Sequence, residues 1–201
     1  MEWTPILIDL PEQLEGLRVL VRPYRLEDGP ALWASIEESR AHLGAWLPWA
    51  EFHQTPDDTR QYVVKSQVKW LLREDMPVGL FDRITGRHVG GAGLHNIDWK
   101  LHSFEIGYWV RKSAEGQGYV GEAVRLLTRL AFDHLEANRV QIRMDARNLR
   151  SRAVAERQGF VFEGILRRAL HPQQGETVPT DSCMFSLIRE EYQALPWSEG
   201  D

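Results

Sequence analysis

The sequence predicts an α+β (α/β) fold, with one mixed, mostly antiparallel sheet of about seven strands flanked by about four helices. Three observations carry this. Phe104 to Val110 is aromatic and β-branched, a glycine cluster follows at Gly116-Gln117-Gly118-Tyr119-Val120-Gly121, and Ala123, Leu126, Leu127, Leu130, Ala131 and Leu135 recur at helical spacing. That stretch is a strand, a turn and an amphipathic helix. Upstream, Val78 to Asp82 and His88 to Leu94 flank a Thr85-Gly86 turn as a hairpin. Near the end, Phe162 to Leu170 and Asp181 to Ile188 make a second hairpin around His171-Pro172-Gln173-Gln174-Gly175. An antiparallel run feeding a strand–helix–strand unit gives a mixed sheet.

The remaining elements follow in chain order. Leu17 to Arg22 alternates as a first strand. Asp28 is placed to cap a helix whose first turn holds Gly29 and Pro30 and whose buried stripe is Ala31, Leu32, Ile36 and Leu43. Ala45-Trp46-Leu47-Pro48-Trp49 is a rigid apolar loop. It either anchors the core or sets Trp49 or Phe52 as the wall of a substrate pocket. Thr55-Pro56-Asp57-Asp58 spells a capping box, and the helix it opens runs to about Leu72. Gly90, Gly91 and Gly93 mark a bulge or a close backbone approach in the hairpin. Arg139 to Asp145 alternates as a strand. Asn148 caps the next helix with Ser151 at its third position, and Gly159 ends it in a left-handed cap with Phe160 packing back.

The glycine turn exposes several backbone N–H groups at a helix N-terminus, which suits a phosphate or pyrophosphate. Gly116, Gly118 and Gly121 also spell G-x-G-x-x-G, with Asp145 as a possible ribose-binding acid, so an NAD(P)-binding oxidoreductase is the alternative. Five residues, Arg111 to Glu115, separate the strand from the first glycine, and 56 residues follow Asp145. Both facts weigh against that alternative, because the dinucleotide fingerprint follows its strand closely and needs further βα units.

Composition narrows the field. The chain has 201 residues, is 43% hydrophobic and carries a net charge of −5. That is one domain (1–201, with 1–16 an N-terminal extension and a core of about 17–191), with enough apolar mass for a core. The acidic balance disfavours nucleic acid and suits a cationic partner. With Cys183 as the one cysteine, no internal disulfide forms, as expected of a cytoplasmic protein. The opening segment MEWTPILIDLPEQ is acidic, unlike a signal peptide, and no apolar run reaches the roughly 20 residues that span a membrane. The histidines are scattered, so no metal is expected. A homodimer is compatible with all of this.

Glu115-Gly116-Gln117-Gly118-Tyr119-Val120 resembles the phosphate loop of the GNAT acetyltransferases, Gln/Arg-x-x-Gly-x-Gly/Ala. Glu115 and Val120 depart from it, the first by placing a negative charge beside the loop. Asn148-Leu149-Arg150-Ser151 with Glu156, Gly159 and Phe160 resembles the family's N-x-x-S…E-x-x-G-F segment. Trp46-Leu47-Pro48-Trp49, Glu105-Ile106-Gly107-Tyr108-Trp109 and Glu163-Gly164-Ile165-Leu166-Arg167 resemble its Rim-type branch, which acetylates ribosomal-protein N-termini and also includes enzymes for small amines. The resemblance spans roughly Leu17 to Glu191 and implies a sheet splayed at its centre around acetyl-CoA as co-substrate.

It further implies that backbone from Gly116 to Gly121 holds the pyrophosphate. The pantetheine arm would pair with the strand near Trp109, Val110 and Arg111, and Asn148 and Ser151 would lie beside the cofactor. Acyl transfer to a primary amine needs a backbone N–H to polarise the thioester carbonyl, and Tyr108 to Val110 is the place for it. It also needs a base. Glu105 is the first candidate, with a solvated strand-end acid as the plain alternative. His95 and His171 are its rivals, because the Rim-type acid position is Leu170 here. Ser151 either protonates the leaving thiolate or is an ordinary first-turn serine. Trp49 and His95 are candidates to face the amine.

Overall fold

The structure, a computed structural model, describes residues 4–172 and 175–198. The Gln173-Gln174 tip of the last hairpin and the first three residues of the opening segment lie outside it. Its strands are β1 (Leu14–Glu15), β2 (Val19–Pro23), β3 (Met76–Asp82), β4 (His88–Asp98), β5 (Ser103–Val110), β6 (Arg139–Asp145), β7 (Val161–Leu170) and β8 (Thr180–Ile188). They form one sheet in the order β1-β2-β3-β4-β5-β6-β8-β7. Every neighbouring pair is antiparallel except β5 and β6, which run parallel. The helices are α1 (Gly29–Gly44), α2 (Pro56–Leu72), α3 (Tyr119–Arg129), α4 (Leu149–Arg157) and α5 (Arg189–Gln193).

The sheet thus has one strand more than the alternation showed. The addition, β1, is two residues long and pairs Leu14 with Val21, too short to carry a pattern. β4 also continues past Leu94 to Asp98, with an irregular register between His95 and Asp98. Helix α5 is likewise too short for periodicity to mark.

Two apolar clusters sandwich the sheet. Phe104 and Ile106 of β5 join Leu127, Leu130 and Ala131 in the larger one, beneath α3. Burying side chains of this size is worth ~1.5–3 kcal/mol each. The opposite face of the sheet meets α1 and α2 through Tyr24, Leu32, Ile36 and Val63, with Trp49 and Trp109 packed against them. Period-two alternation therefore sends Phe104, Ile106 and Tyr108 to one side and Glu105, Gly107 and Trp109 to the other.

Local corrections have physical causes. Ala31 is exposed, and Ser35 and Ser39 complete the α1 stripe instead. Asp28 stands at the N-cap of α1, but its carboxylate turns back to accept from Arg22 at 2.7 and 2.8 Å and from the Arg25 N–H at 2.7 Å. A buried acid gains more from a bidentate guanidinium than from a helix amide. The Thr55–Asp58 capping box closes as expected, with Thr55 Oγ1 accepting from Asp58 N–H at 3.2 Å and Asp58 accepting from Thr55 N–H at 2.8 Å. α3 opens at Tyr119 rather than at Gly121, and beyond Arg129 it widens into a π turn over Leu130–His134 before Leu135.

Candidate active site

The site begins where the sheet forks. β5 and β6 pair only through Ser103, Phe104 and Glu105 opposite Arg139, Val140 and Gln141. Beyond that point β6 departs, while β5 stays on β4 through to Val110 opposite Gly90. The Arg111 N–H bonds to Val89 O at 2.8 Å. Antiparallel alternation then aims the backbone N–H groups of Tyr108 and Val110 away from β4, into the fork. The sheet is therefore splayed at its centre, as expected, with strand donors along one arm.

The loop that follows β5 is tied to α1. Arg111 Nε donates to Glu38 at 2.6 Å, Ser113 N–H donates to the other oxygen of Glu38 at 2.8 Å, and Lys112 N–H donates to Ser39 Oγ at 3.0 Å. These hydrogen bonds and the Arg111 charge pull the Glu38 carboxyl down to about 2. Glycine is needed next. Gly116 has φ +72 and Gly118 has φ +88, a region costly for a side chain. A Cβ at Gly116 would meet only open space within 4 Å, and at Gly118 the nearest atom would be Arg18 Nη1 at 3.6 Å. Glu122 N–H makes the first intrahelical bond, to Gly118 O at 3.2 Å. The N–H groups of Tyr119, Val120 and Gly121 therefore point out of the helix end. The loop is a cradle of backbone donors, open at the Gly116 Cβ position and bordered by Arg18 at Gly118.

Glu115 looked adverse beside such a cradle. It is matched by Lys112 at 2.8 Å, Arg150 at 2.9 Å and His42 at 3.0 Å. Its carboxyl is held below the usual range, chiefly by the Lys112 hydrogen bond. The charge that seemed to repel a phosphate is thus cancelled locally by Lys112 and Arg150, and the Arg18 guanidinium lies on the Gly118 side of the loop. Val120 is half-buried against the main core, Tyr119 is fixed through its hydroxyl to Asp82 of β3, and Gln117 Nε2 donates to Ser113 O at 3.0 Å.

α4 supplies the far wall of the fork. Asn148 Oδ1 accepts from Ser151 N–H at 3.1 Å, the cap expected there. Ser151 Oγ then meets the Tyr108 hydroxyl at 2.8 Å, and Tyr108 also donates to Ser151 O at 3.1 Å. Burial lifts the Tyr108 phenol to about 12, so it stays protonated. The pair links β5 to the segment after β6 across the opening. Sequence spacing gave Ser151 its helix position but held no sign of this partner.

On the α1–α2 side, Trp109 lies 5.7 Å from Trp49 and 5.8 Å from the His88 ring, centroid to centroid. Trp49 thus joins Trp109 on this face, whereas Phe52 is exposed away from the second core. Glu105 is occupied. It accepts from Gln141 Nε2 at 2.9 Å and pairs with Arg143 at 3.5 Å, bridging β5 to β6 at the base of the fork. His95, opposite Glu105 in β4, bonds through Nδ1 to Asp75 at 2.5 Å. His171 lies exposed past the end of β7. Asp145, the ribose-binding acid of the dinucleotide alternative, is filled by Arg147 through its backbone and guanidinium at 2.8 to 2.9 Å.

Comparison with known proteins agrees with this geometry. Residues 18–161 match the model of the Acetyltransferase (GNAT) domain family. The chain is 32% identical over 176 residues to "Putative ribosomal N-acetyltransferase YdaF" of Bacillus subtilis (strain 168), covering 87% of this chain and 93% of that protein. It is 29% identical over 143 residues to the ribosomal-protein-serine acetyltransferase of Escherichia coli (strain K12), covering 69% and 76%. A ribosomal L7/L12 alpha-N-protein acetyltransferase solved with coenzyme A shares the fold at a TM-score of 0.82, with 22% identity over 88% of this chain and 98% of that one. The oxidoreductase alternative finds no support among them, and among the described residues no helix is long and apolar enough to cross a membrane. The chain belongs to the GNAT acetyltransferase family.

Proposed function

We propose that this acetyltransferase uses acetyl-CoA to acetylate the α-amine of a protein N-terminus, by direct attack with both substrates bound. The observation that carries the reading is the fork, whose paired base ends at Glu105 and Gln141 and whose open arm leads straight into the Gly116–Gly118 cradle. The sheet running unbroken from Leu14 to Ile188 is in keeping with one catalytic domain. The relatives that act on ribosomal proteins favour a protein acceptor.

Each element has a part. The N–H groups from Gly116 to Gly121, with Arg18 beside Gly118, hold the pyrophosphate. Strand backbone at Trp109, Val110 and Arg111 lines the arm, with Asn148 keeping α4 in place opposite. Acetyl-CoA, when bound, supplies an acyl group activated as a thioester. The N–H groups of Tyr108 and Val110 face the fork, where they stabilise negative charge growing on a carbonyl oxygen. Ser151, hydrogen-bonded to the protonated Tyr108, holds a proton for the departing sulfur. Trp49 and His95 form the side from which the amine approaches.

The test is direct. The purified chain, acetyl-CoA and a synthetic peptide beginning with serine are incubated, and the peptide is sequenced by mass spectrometry. One acetyl group on the α-amine is expected. Acetylation confined to lysine side chains would overturn the N-terminal assignment, and no acetylation of any peptide or small amine would overturn the transferase reading.

A further inference from the structure

Resting on that reading, we propose that His95, positioned by Asp75, is the group that takes the proton from the incoming amine, while Glu105 braces the fork. The glycines make room for the ring. A Cβ on Gly107 would stand 2.9 Å from His95 Cδ2 and 3.2 Å from Nε2, and one on Gly93 would stand 3.0 Å from Cε1. Gly93 and Gly107 are cross-strand partners. The imidazole therefore lies across that pair, with its Nε2 end over β5 one residue before Tyr108. Tyr108 is where the strand begins to present its N–H groups to the fork. A side chain at either glycine would push the ring away.

The other end of the ring is fixed. Nδ1 meets Asp75 Oδ1 at 2.5 Å, while Asp75 Oδ2 takes Lys69 Nζ at 3.1 Å. Each carboxylate oxygen thus has its own partner. Burial pushes the Asp75 carboxyl up, but the His95 bond and Lys69 together bring it below its ordinary value, so it is ionised. An ionised acceptor at Nδ1 selects the tautomer that keeps a proton there and leaves the Nε2 lone pair open. The His95 side chain is 35% exposed and the Glu105 side chain 14%. A base has to be reachable, and Glu105 already holds Gln141 and Arg143. Asp75 bonds to this ring and Glu105 of β5 is its cross-strand partner; behind them, Lys69 and Tyr62 act on Asp75, and Arg143 of β6 pairs with Glu105.

The proton count closes. An ammonium gives one proton to His95 Nε2, which passes it to water. The freed nitrogen lone pair forms the C–N bond as the C–S bond breaks with its electrons on sulfur. The second nitrogen proton is lost as the amide forms, and the sulfur gains one, so the products are the amide, the thiol and one proton in solution.

The experiment uses the full chain with acetyl-CoA and the serine peptide. His95→Gln should lower kcat by ~10²–10⁴-fold, the usual share of a positioned base, with thermal stabilisation by acetyl-CoA unchanged. His95→Ala should recover part of its rate when imidazole is added. Asp75→Asn should lower kcat rather than raise the acetyl-CoA KM, and the conservative Asp75→Glu should restore part of that rate. A merely structural Asp75 would lower the melting temperature and acetyl-CoA affinity along with kcat. Wild-type kcat in His95→Gln, or a larger loss of kcat in Glu105→Gln than in His95→Gln, would overturn the assignment. A wild-type chain that acetyl-CoA does not stabilise would instead overturn the acetyltransferase reading, and this assignment with it.

Discussion

The two sides of the fork are built by different means. The proposed cofactor side is built mainly from one continuous stretch, Phe104 to Gly121, in which strand, cradle and helix end follow each other and the donors are backbone N–H groups. The proposed amine side is assembled from distant positions: Trp49 before α2, Asp75 ahead of β3, His95 in β4 and Trp109 in β5. Backbone sites depend on local conformation, which glycine spacing dictates. Side-chain sites depend on which strands become neighbours, which is settled only when the sheet closes.

The largest effect should come from breaking the local side. Gly118→Val places a β-branched residue at φ +88. The strain should cost ~1–3 kcal/mol, leaving a folded chain, because the apolar stripe of α3 is untouched. Titration with acetyl-CoA alongside a circular dichroism melt should show a folded protein with binding abolished. Wild-type affinity would reduce Gly118 to a turn residue and dissolve the contrast between the two sides.

A smaller effect is expected where the two sides meet. Ser151→Ala removes the hydroxyl at 2.8 Å from Tyr108 but keeps the Asn148 cap on the Ser151 backbone. Turnover should fall roughly 10–100-fold, at and below the lower end for a positioned proton donor, with acetyl-CoA binding nearly intact. Steady-state kinetics with the serine peptide measures both, and unchanged turnover would make Ser151 purely structural.

The smallest effect sharpens the comparison by loosening the cradle from outside it. Glu38→Gln weakens the tie from α1 to Arg111 and Ser113, so acetyl-CoA should bind a few-fold less tightly, in the range of a partly exposed ion pair. Because Glu38 is held at about 2, below its ordinary 4.5, its contribution to stability is present above pH 4.5 and is lost as pH falls from there toward 2. Melting temperatures of wild type and Glu38→Gln should therefore converge over that interval. A difference that persists at its acidic end would remove Glu38 from the account.

The same contrast explains what the sequence made legible. The Thr55 and Asn148 caps, the left-handed Gly159, the splayed sheet and the glycine loop rest on neighbours within a few residues or on the resemblance that those motifs carry. The bond between Tyr108 and Ser151 spans 43 positions, and the contact between His95 and Asp75 spans 20. Nothing in local spacing encodes either. The pairing of Glu115 with Arg150, and its contact with His42, was hidden for the same reason, since both partners come from distant helices. The Asp28 capping motif was present in the sequence, yet the carboxylate turned to Arg22, where a guanidinium offered the stronger bond.

Thermal stabilisation by ligands tests the central claim most directly. The chain is melted alone and with acetyl-CoA, CoA, NAD or NADP, each over a concentration series. Acetyl-CoA and CoA should raise the melting temperature, by the equivalent of about 2.7 kcal/mol at 100 times the dissociation constant, while NAD and NADP leave it in place. Stabilisation by NAD or NADP without any by acetyl-CoA would contradict the account, because the fork and its glycine cradle would then hold a dinucleotide.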